Sequence, residues 1–161
     1  MINTIETTET NHALDQAKAQ YECISEMVER LDHARNCDCD YEQYVEDSDL
    51  CDTDIKFDSE EEFDDYHNED EAEQAIQDDP LSVQVRSDWY SVGDEDGGDP
   101  CEFEILLCTG GPACRIRGEL NNGSPYRAWL EYQDWGTPWT QYFDATQNTL
   151  LAYANQFYFG D

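Results

Sequence analysis

The chain is predicted to be an α+β domain: N-terminal helices, a four-stranded antiparallel sheet and a C-terminal helix. Three observations predict it. Between His12 and Arg35 apolar residues recur at alternating spacings of three and four, the period of a helix face. From Leu81 the period changes to two, the signature of strands with one buried face. After Asp144 the helical spacing returns in Leu150, Leu151, Tyr153, Ala154 and Phe157. With 161 residues one domain is expected, its residues 1–79 an acidic helical part and 80–161 a β-meander plus the last helix.

Residues 1–10 are polar and are expected to fray. The first helix spans about 12–35, with Thr10 or Asn11 as its N-cap. Its stripe of Leu14, Ala17, Tyr21, Ile24, Val28 and Leu31 follows an a/d heptad, which suits a helix packed along the rest of the domain; the alternative is a homodimer seam through 12–35, for which the run is short. In 36–58, Tyr41, Tyr44 and Val45 suggest a helical turn, and Leu50, Ile55 and Phe57 a brief extended piece. Ser59 followed by Glu62 is a capping-box signature, and Asn68 followed by Glu71 repeats it. Two short helices, or one kinked helix, therefore end before Pro80, with Phe63, Tyr66, Ala72, Ala75 and Ile76 facing inward. The competing reading of 36–79 is a disordered acidic tract, since low hydrophobicity with high charge opposes folding.

Leu81, Val83 and Val85 alternate with Ser82, Gln84 and Arg86 as a first strand, which Trp89, Tyr90 and Val92 extend past a bend. Gly93 to Pro100 is a loop. Phe103–Cys108, then Cys114–Leu120, then Tyr126–Gln133 supply the other three strands. Asn121-Asn122-Gly123-Ser124 between the last two is a hairpin turn. Tyr132 to Trp139 reads as an aromatic corner packed into the core, with an exposed aromatic anchor for a protein partner as the alternative, and Asp144 with Gln147 as the cap of the final helix.

The charge is extreme and uneven. The formal net charge is −31, well beyond the magnitude of roughly 2–8 that keeps a small domain soluble. Residues 1–100 carry −27 of it and residues 101–161 only −4. Twenty carboxylates lie between Asp38 and Asp79, with Lys56 as the one cation among them. B-DNA presents one charge per ~1.7 Å of axis, so a full turn carries roughly the same number. Such a chain is repelled by nucleic acid and by anionic membrane surfaces. No apolar run approaches the ~18 residues of a membrane span, and the N-terminus lacks the apolar region of a signal peptide. A cytoplasmic protein with reduced thiols is expected from the odd count of seven cysteines.

Other chemistry has thinner support. Cys37 and Cys39, with His33 before them and Cys51 after, are the best metal candidates. Zinc ligands come as two pairs separated by two to four residues; here one residue separates the first pair and the second pair is missing, so no metal ligands and no cofactor are expected. Cys108 and Cys114 are expected to be ordinary buried thiols. Asp94-x-Asp96-Gly97-x-Asp99 resembles a calcium loop but has Gly98 at the fifth position, Asp99 at the sixth and Ile105 at the twelfth, so the match fails. Arg115, Arg117 and Arg127 interleave with Glu102, Glu104, Glu119 and Glu131 and are expected to form cross-strand ion pairs. His12, His33 and His67 neighbour no nucleophile motif, and Gly110-Gly111-Pro112 lacks the lysine of a phosphate loop. No enzyme is expected.

By size, acidity and carboxylate-studded helices the chain resembles the acidic DNA-mimic inhibitors of phages and mobile elements, the anti-CRISPR and antirestriction class. Cys108-Thr109-Gly110-Gly111-Pro112 with Asp134-Trp135-Gly136-Thr137-Pro138-Trp139 is similar to small phage proteins of undescribed function. The class resemblance implies a phage protein, working in the host cytoplasm, that occupies the basic DNA-binding surface of a CRISPR–Cas surveillance complex or restriction enzyme. The residues expected to make that contact are Asp58, Glu60, Glu61, Glu62, Asp64, Asp65, Glu69, Asp70, Glu71 and Glu73, supported by Asp47, Asp49, Asp52 and Asp54. The alternative is an acidic module that sequesters a basic protein without competing with DNA.

Overall fold

A computed structural model describes residues 11–93 and 98–160. The stretch 1–10, including the alternative cap Thr10, lies outside the described residues, as do Asp94 to Gly97 of the acidic loop. Asn11 accepts a hydrogen bond from the Leu14 N–H at 3.1 Å and so starts α1, His12–Asn36. Ala17, Ile24 and Leu31 of its stripe are buried, Tyr21 and Val28 are half-buried, and Leu14 is exposed. The buried half of the heptad is used within the chain, where α1 crosses β3 and β4 and lies beside α4 and α5.

The helical reading of 36–79 is the one the structure takes. Asp40 caps α2, Tyr41–Glu46, through a reciprocal capping box with Gln43. A 3₁₀ turn follows at Ser48–Leu50. Ser59 caps α3, Glu60–Tyr66, and Asn68 caps α4, Glu69–Asp78. Ala72 and Ile76 join the main core. Residues 37–66 have a small core of their own: Cys51, Phe57 and Phe63 are buried, with Cys37, Cys39, Tyr41, Tyr44 and Tyr66 packed around them. Ring pairs tie this acidic lobe together, among them Phe57–Phe63 at 5.3 Å, Tyr44–Phe57 at 5.4 Å and Tyr44–Phe63 at 5.5 Å between centroids.

Among the described residues the sheet has five strands where four were expected: β1 Ser82–Ser87, β2 Pro100–Cys108, β3 Ala113–Asn121, β4 Ser124–Gln133 and β5 Thr140–Tyr142, antiparallel and in sequence order. β5 pairs with β4 through Leu130↔Tyr142 and Tyr132↔Thr140. Three residues are too few to show a period of two, so this strand was hidden in the aromatic corner. β1 stops at Ser87, beside a register shift; Trp89 is 99% exposed and extends nothing. The aromatic corner is core only in part: Tyr132 packs against the core and Tyr142 is buried within it. Trp135 is exposed, its indole N–H donating to the Gly110 carbonyl at 2.8 Å, and Trp139 stacks on the Arg115 guanidinium at 3.9 Å.

Phe103, Ile105 and Leu107, then Cys114, Ile116 and Leu120, then Ala128 and Leu130 form the buried sheet face. α1 and α5, Gln147–Ala154, cover it. Thr146, not Asp144, caps α5. Each large apolar side chain so buried contributes roughly 1.5–3 kcal/mol. The other face carries the expected ion pairs: Arg115 with Glu104 at 2.7 Å and Glu131 at 2.8 Å, Arg117 with Glu102 at 2.9 Å, and Arg127 with Glu119 at 3.0 Å. At the Asn122-Gly123 turn both residues have positive φ, 50° and 74°, as a two-residue type I′ hairpin requires. Among the described residues, no helix is long and apolar enough to cross a membrane.

Two groups of the main core make the fold sensitive to alkali. Tyr153 is fully buried on α5 and donates to the Asp79 carboxylate at 2.5 Å; burial and this bond push its pKa far above the usual tyrosine value. Burial, with Cys108 alongside, pushes the Cys114 thiol up to about 12. Both groups keep their protons to higher pH when folded than when unfolded. Their stability contribution is therefore whole below the unfolded values, about 8.5 for cysteine and 10 for tyrosine. It falls as pH rises past them, by up to ~1.4 kcal/mol per pH unit per group. Urea unfolding at pH 7, 9 and 10.5 should show stability falling at each step. Tyr153→Phe should cost about 1 kcal/mol at pH 7 and flatten the decline above pH 10.

Candidate functional site

Two features of the acidic lobe carry chemistry: its outer surface and a cluster of sulfur and nitrogen atoms beneath it.

The surface is built by the short helices and the loop between them. Of the carboxylates expected to meet a partner, Asp47, Asp49, Asp52, Asp54, Asp58, Glu60, Glu61, Glu62, Asp64, Asp65, Glu69, Asp70 and Glu71 are exposed and Glu73 is half-buried. Phe63 is the buried anchor of α3, and burying it turns the five acids of this helix toward solvent. Seven residues at 1.5 Å rise span about 10 Å, so α3 carries one negative charge per ~2 Å, close to the ~1.7 Å of B-DNA. Like charges one turn apart each cost a few tenths of a kcal/mol, which the burial of Phe63 offsets.

The structure divides these residues by role. Arg35 pairs with Glu69 at 2.7 Å and with Glu73, and Arg30 reaches Glu71 at 3.8 Å. These three acids dock α4 against α1 instead of offering free charge. Arg30 also donates to the Asp65 carbonyl at 2.7 Å, fixing the end of α3. The other carboxylates of the set form no ion pair among the described residues. Some shape the loop: Asp47 accepts from the Asp49 N–H at 3.2 Å, and Glu62 from the Asp58 N–H at 3.0 Å.

Beneath the surface, His33, Cys37, Cys51 and His67 bring one ligand-type atom each within 4.8 Å of one another. His33 and Cys37 are one turn apart at the end of α1, Cys51 follows the 3₁₀ turn, and His67 is the C-cap of α3. His33 Nε2 lies 2.9 Å from His67 Nε2, and Cys51 Sγ lies 3.4 Å from each. Cys37 Sγ lies 3.9 Å from Cys51 Sγ and 2.8 Å from Cys39 Sγ. Burial, and the neighbouring sulfurs of Cys39 and Cys37, push the Cys51 thiol up to about 12. Burial and the facing His67 lower the pKa of His33. An open groove of about 800 Å³ leads to the cluster, with Glu29, Asp32, Asp38, Asp52 and Asp54 in its walls.

The sequence singled out His33, Cys37, Cys39 and Cys51 but not His67. The informative spacing was His33-x₃-Cys37, which puts both side chains on one helix face; the Cys37–Cys39 pair drew attention instead. His67 is placed by the packing of α3, where its ring stacks on Phe63 at 3.9 Å, and no local pattern announces that.

Comparison with protein-family models, curated proteins and solved structures finds no match.

Proposed function

We propose that this protein is a DNA-mimicking inhibitor that occupies the basic DNA-binding surface of a bacterial defence complex, a CRISPR–Cas surveillance complex or a restriction enzyme, and blocks its access to target DNA. One observation carries the reading: the unpaired carboxylates lie on a folded surface, and along α3 their linear density approaches that of duplex DNA. A cleft lined with Lys and Arg responds to charge spacing and not to which polyanion presents it. Held on short helices, the carboxylates lose less conformational freedom on docking than those of a flexible acidic tail would. Asp47, Asp49, Asp52, Asp54, Asp58, Glu60, Glu61, Glu62, Asp64, Asp65 and Asp70 make the contact. Glu69, Glu71 and Glu73 hold the face in place.

The test is a pull-down of tagged protein from a bacterial lysate at low and moderate salt, with and without excess duplex DNA. Capture of a nuclease or surveillance complex that is lost when DNA is added is the expected result. Capture of a basic protein that ignores added DNA overturns the proposal in favour of an acidic sequestering module.

A further inference from the structure

We infer that His33, Cys37, Cys51 and His67 form a structural site for one tetrahedral, thiolate-binding divalent cation, zinc above all, that fastens the acidic lobe to the end of α1. The inference goes beyond the DNA-mimic reading and does not depend on it.

The geometry is the first argument. A tetrahedron built on Zn–S bonds of about 2.3 Å and Zn–N bonds of 2.0–2.1 Å has edges of roughly 3.8 Å between sulfurs, 3.5 Å between sulfur and nitrogen and 3.3 Å between nitrogens. Four of the six edges are 3.9 Å for Cys37–Cys51, 3.4 Å for Cys51–His33 and Cys51–His67, and 2.9 Å for His33–His67. The other two, from Cys37 Sγ to the histidines, lie within 4.8 Å, so a small opening at the histidine edge and an adjustment of the Cys37 sulfur bring the four atoms onto the ion. The orientation of His67 is the second argument. Its Nδ1 lies 2.7 Å from the Phe63 carbonyl, which can only accept, so Nδ1 carries the proton and Nε2 presents its lone pair to the cluster. This is the outer partner that metal-bound histidines ordinarily have.

Ligand chemistry selects the ion. Two sulfurs and two imidazole nitrogens suit zinc, whereas magnesium and calcium take oxygen. The sulfurs of Cys37 and Cys39 are 2.8 Å apart, too close for both to be ligands of one ion; Cys37 is the one grouped with His33, Cys51 and His67, and Cys39 is a neighbour of its sulfur. The lobe also has need of such a link. Three buried residues form its core, too few to hold a segment whose surface charges repel one another, and small units of this kind commonly depend on a metal. The ligands come from three separate stretches, so the ion joins α1, the loop after α2 and the end of α3.

The test uses the full chain, stripped of metal with a chelator and then titrated. One equivalent of zinc should be retained through gel filtration. Cobalt(II) in its place should give the visible bands of a tetrahedral site together with near-ultraviolet sulfur-to-metal charge transfer. Cys51→Ser and His67→Gln should each weaken binding by roughly 100-fold or more, at least the loss seen on removing an outer partner. Cys23→Ser and Cys101→Ser, at cysteines outside the cluster, should leave it unchanged. Sub-stoichiometric zinc and an octahedral cobalt spectrum for the unsubstituted chain would overturn the inference, with no variant needed. So would a tetrahedral spectrum that survives in both Cys51→Ser and His67→Gln. A chain that binds zinc at this site but captures no DNA-binding protein keeps the site and loses only the mimicry.

Discussion

Reversing four charges on α3, Glu60, Glu61, Asp64 and Asp65 to lysine, is expected to lower affinity for the DNA-binding partner by roughly 10³-fold or more and to abolish inhibition. All four side chains are exposed and none is in an ion pair among the described residues. Surface changes of this kind usually alter stability by less than ~0.5 kcal/mol each, and here they relieve repulsion. Loss of binding therefore reports on the interface. Salt dependence supplies an independent readout. Each screened contact contributes just under one to the slope of log affinity against log salt, so the variant should be shallower than the parent by about three to four. Glu69→Gln with Glu73→Gln is the contrasting case. It frees Arg35 and loosens α4, so it should reduce stability more than it reduces the salt slope. If the α3 lysine variant inhibits as well as the parent, the carboxylates of α3 are not the contact and the mimic reading fails.

The contrast between those two variants shows which parts of the molecule the sequence made legible. Elements with a sustained period were readable: α1 from its stripe, and the three long strands from their alternation. The caps at Ser59 and Asn68 were readable because capping is local. β5 was not, since three residues show no period. The number of carboxylates was plain, but their division into displayed and paired groups was not. Arg35 meets Glu69 and Glu73 across 34 and 38 residues of chain, and only the docking of α4 on α1 brings them together. The cluster of His33, Cys37, Cys51 and His67 was legible only in part for the same reason: three of its side chains lie within the stretch 33–51 and were noticed, while the fourth arrives with α3.

Gly118→Val is expected to be the most damaging single substitution in the sheet, costing about 3 kcal/mol or more and lowering Tm by roughly 6–12 °C. Gly118 sits in the middle of β3, paired with Phe103 on one side and Ala128 on the other. In sequence it read only as one more inward position of the strand. The structure shows why no side chain fits: a Cβ there would stand 2.3 Å from the Arg127 carbonyl oxygen and 2.3 Å from the Phe103 ring. Phe103 is 1% exposed and lies against Phe159 at 4.7 Å between centroids, so the ring has little room to retreat. The aromatic covers the glycine and supplies the apolar surface that the glycine lacks. Because one contact is with a ring and the other with backbone, the two are separable. Phe103→Leu alone should destabilise by about 1 kcal/mol or more. The double variant should be less destabilised than the sum of the singles by roughly 1 kcal/mol, leaving the carbonyl clash as the remainder. A double-mutant cycle from urea unfolding measures that term. Strict additivity would mean that the ring is not what excludes a side chain at this position, and that the carbonyl contact alone accounts for the loss.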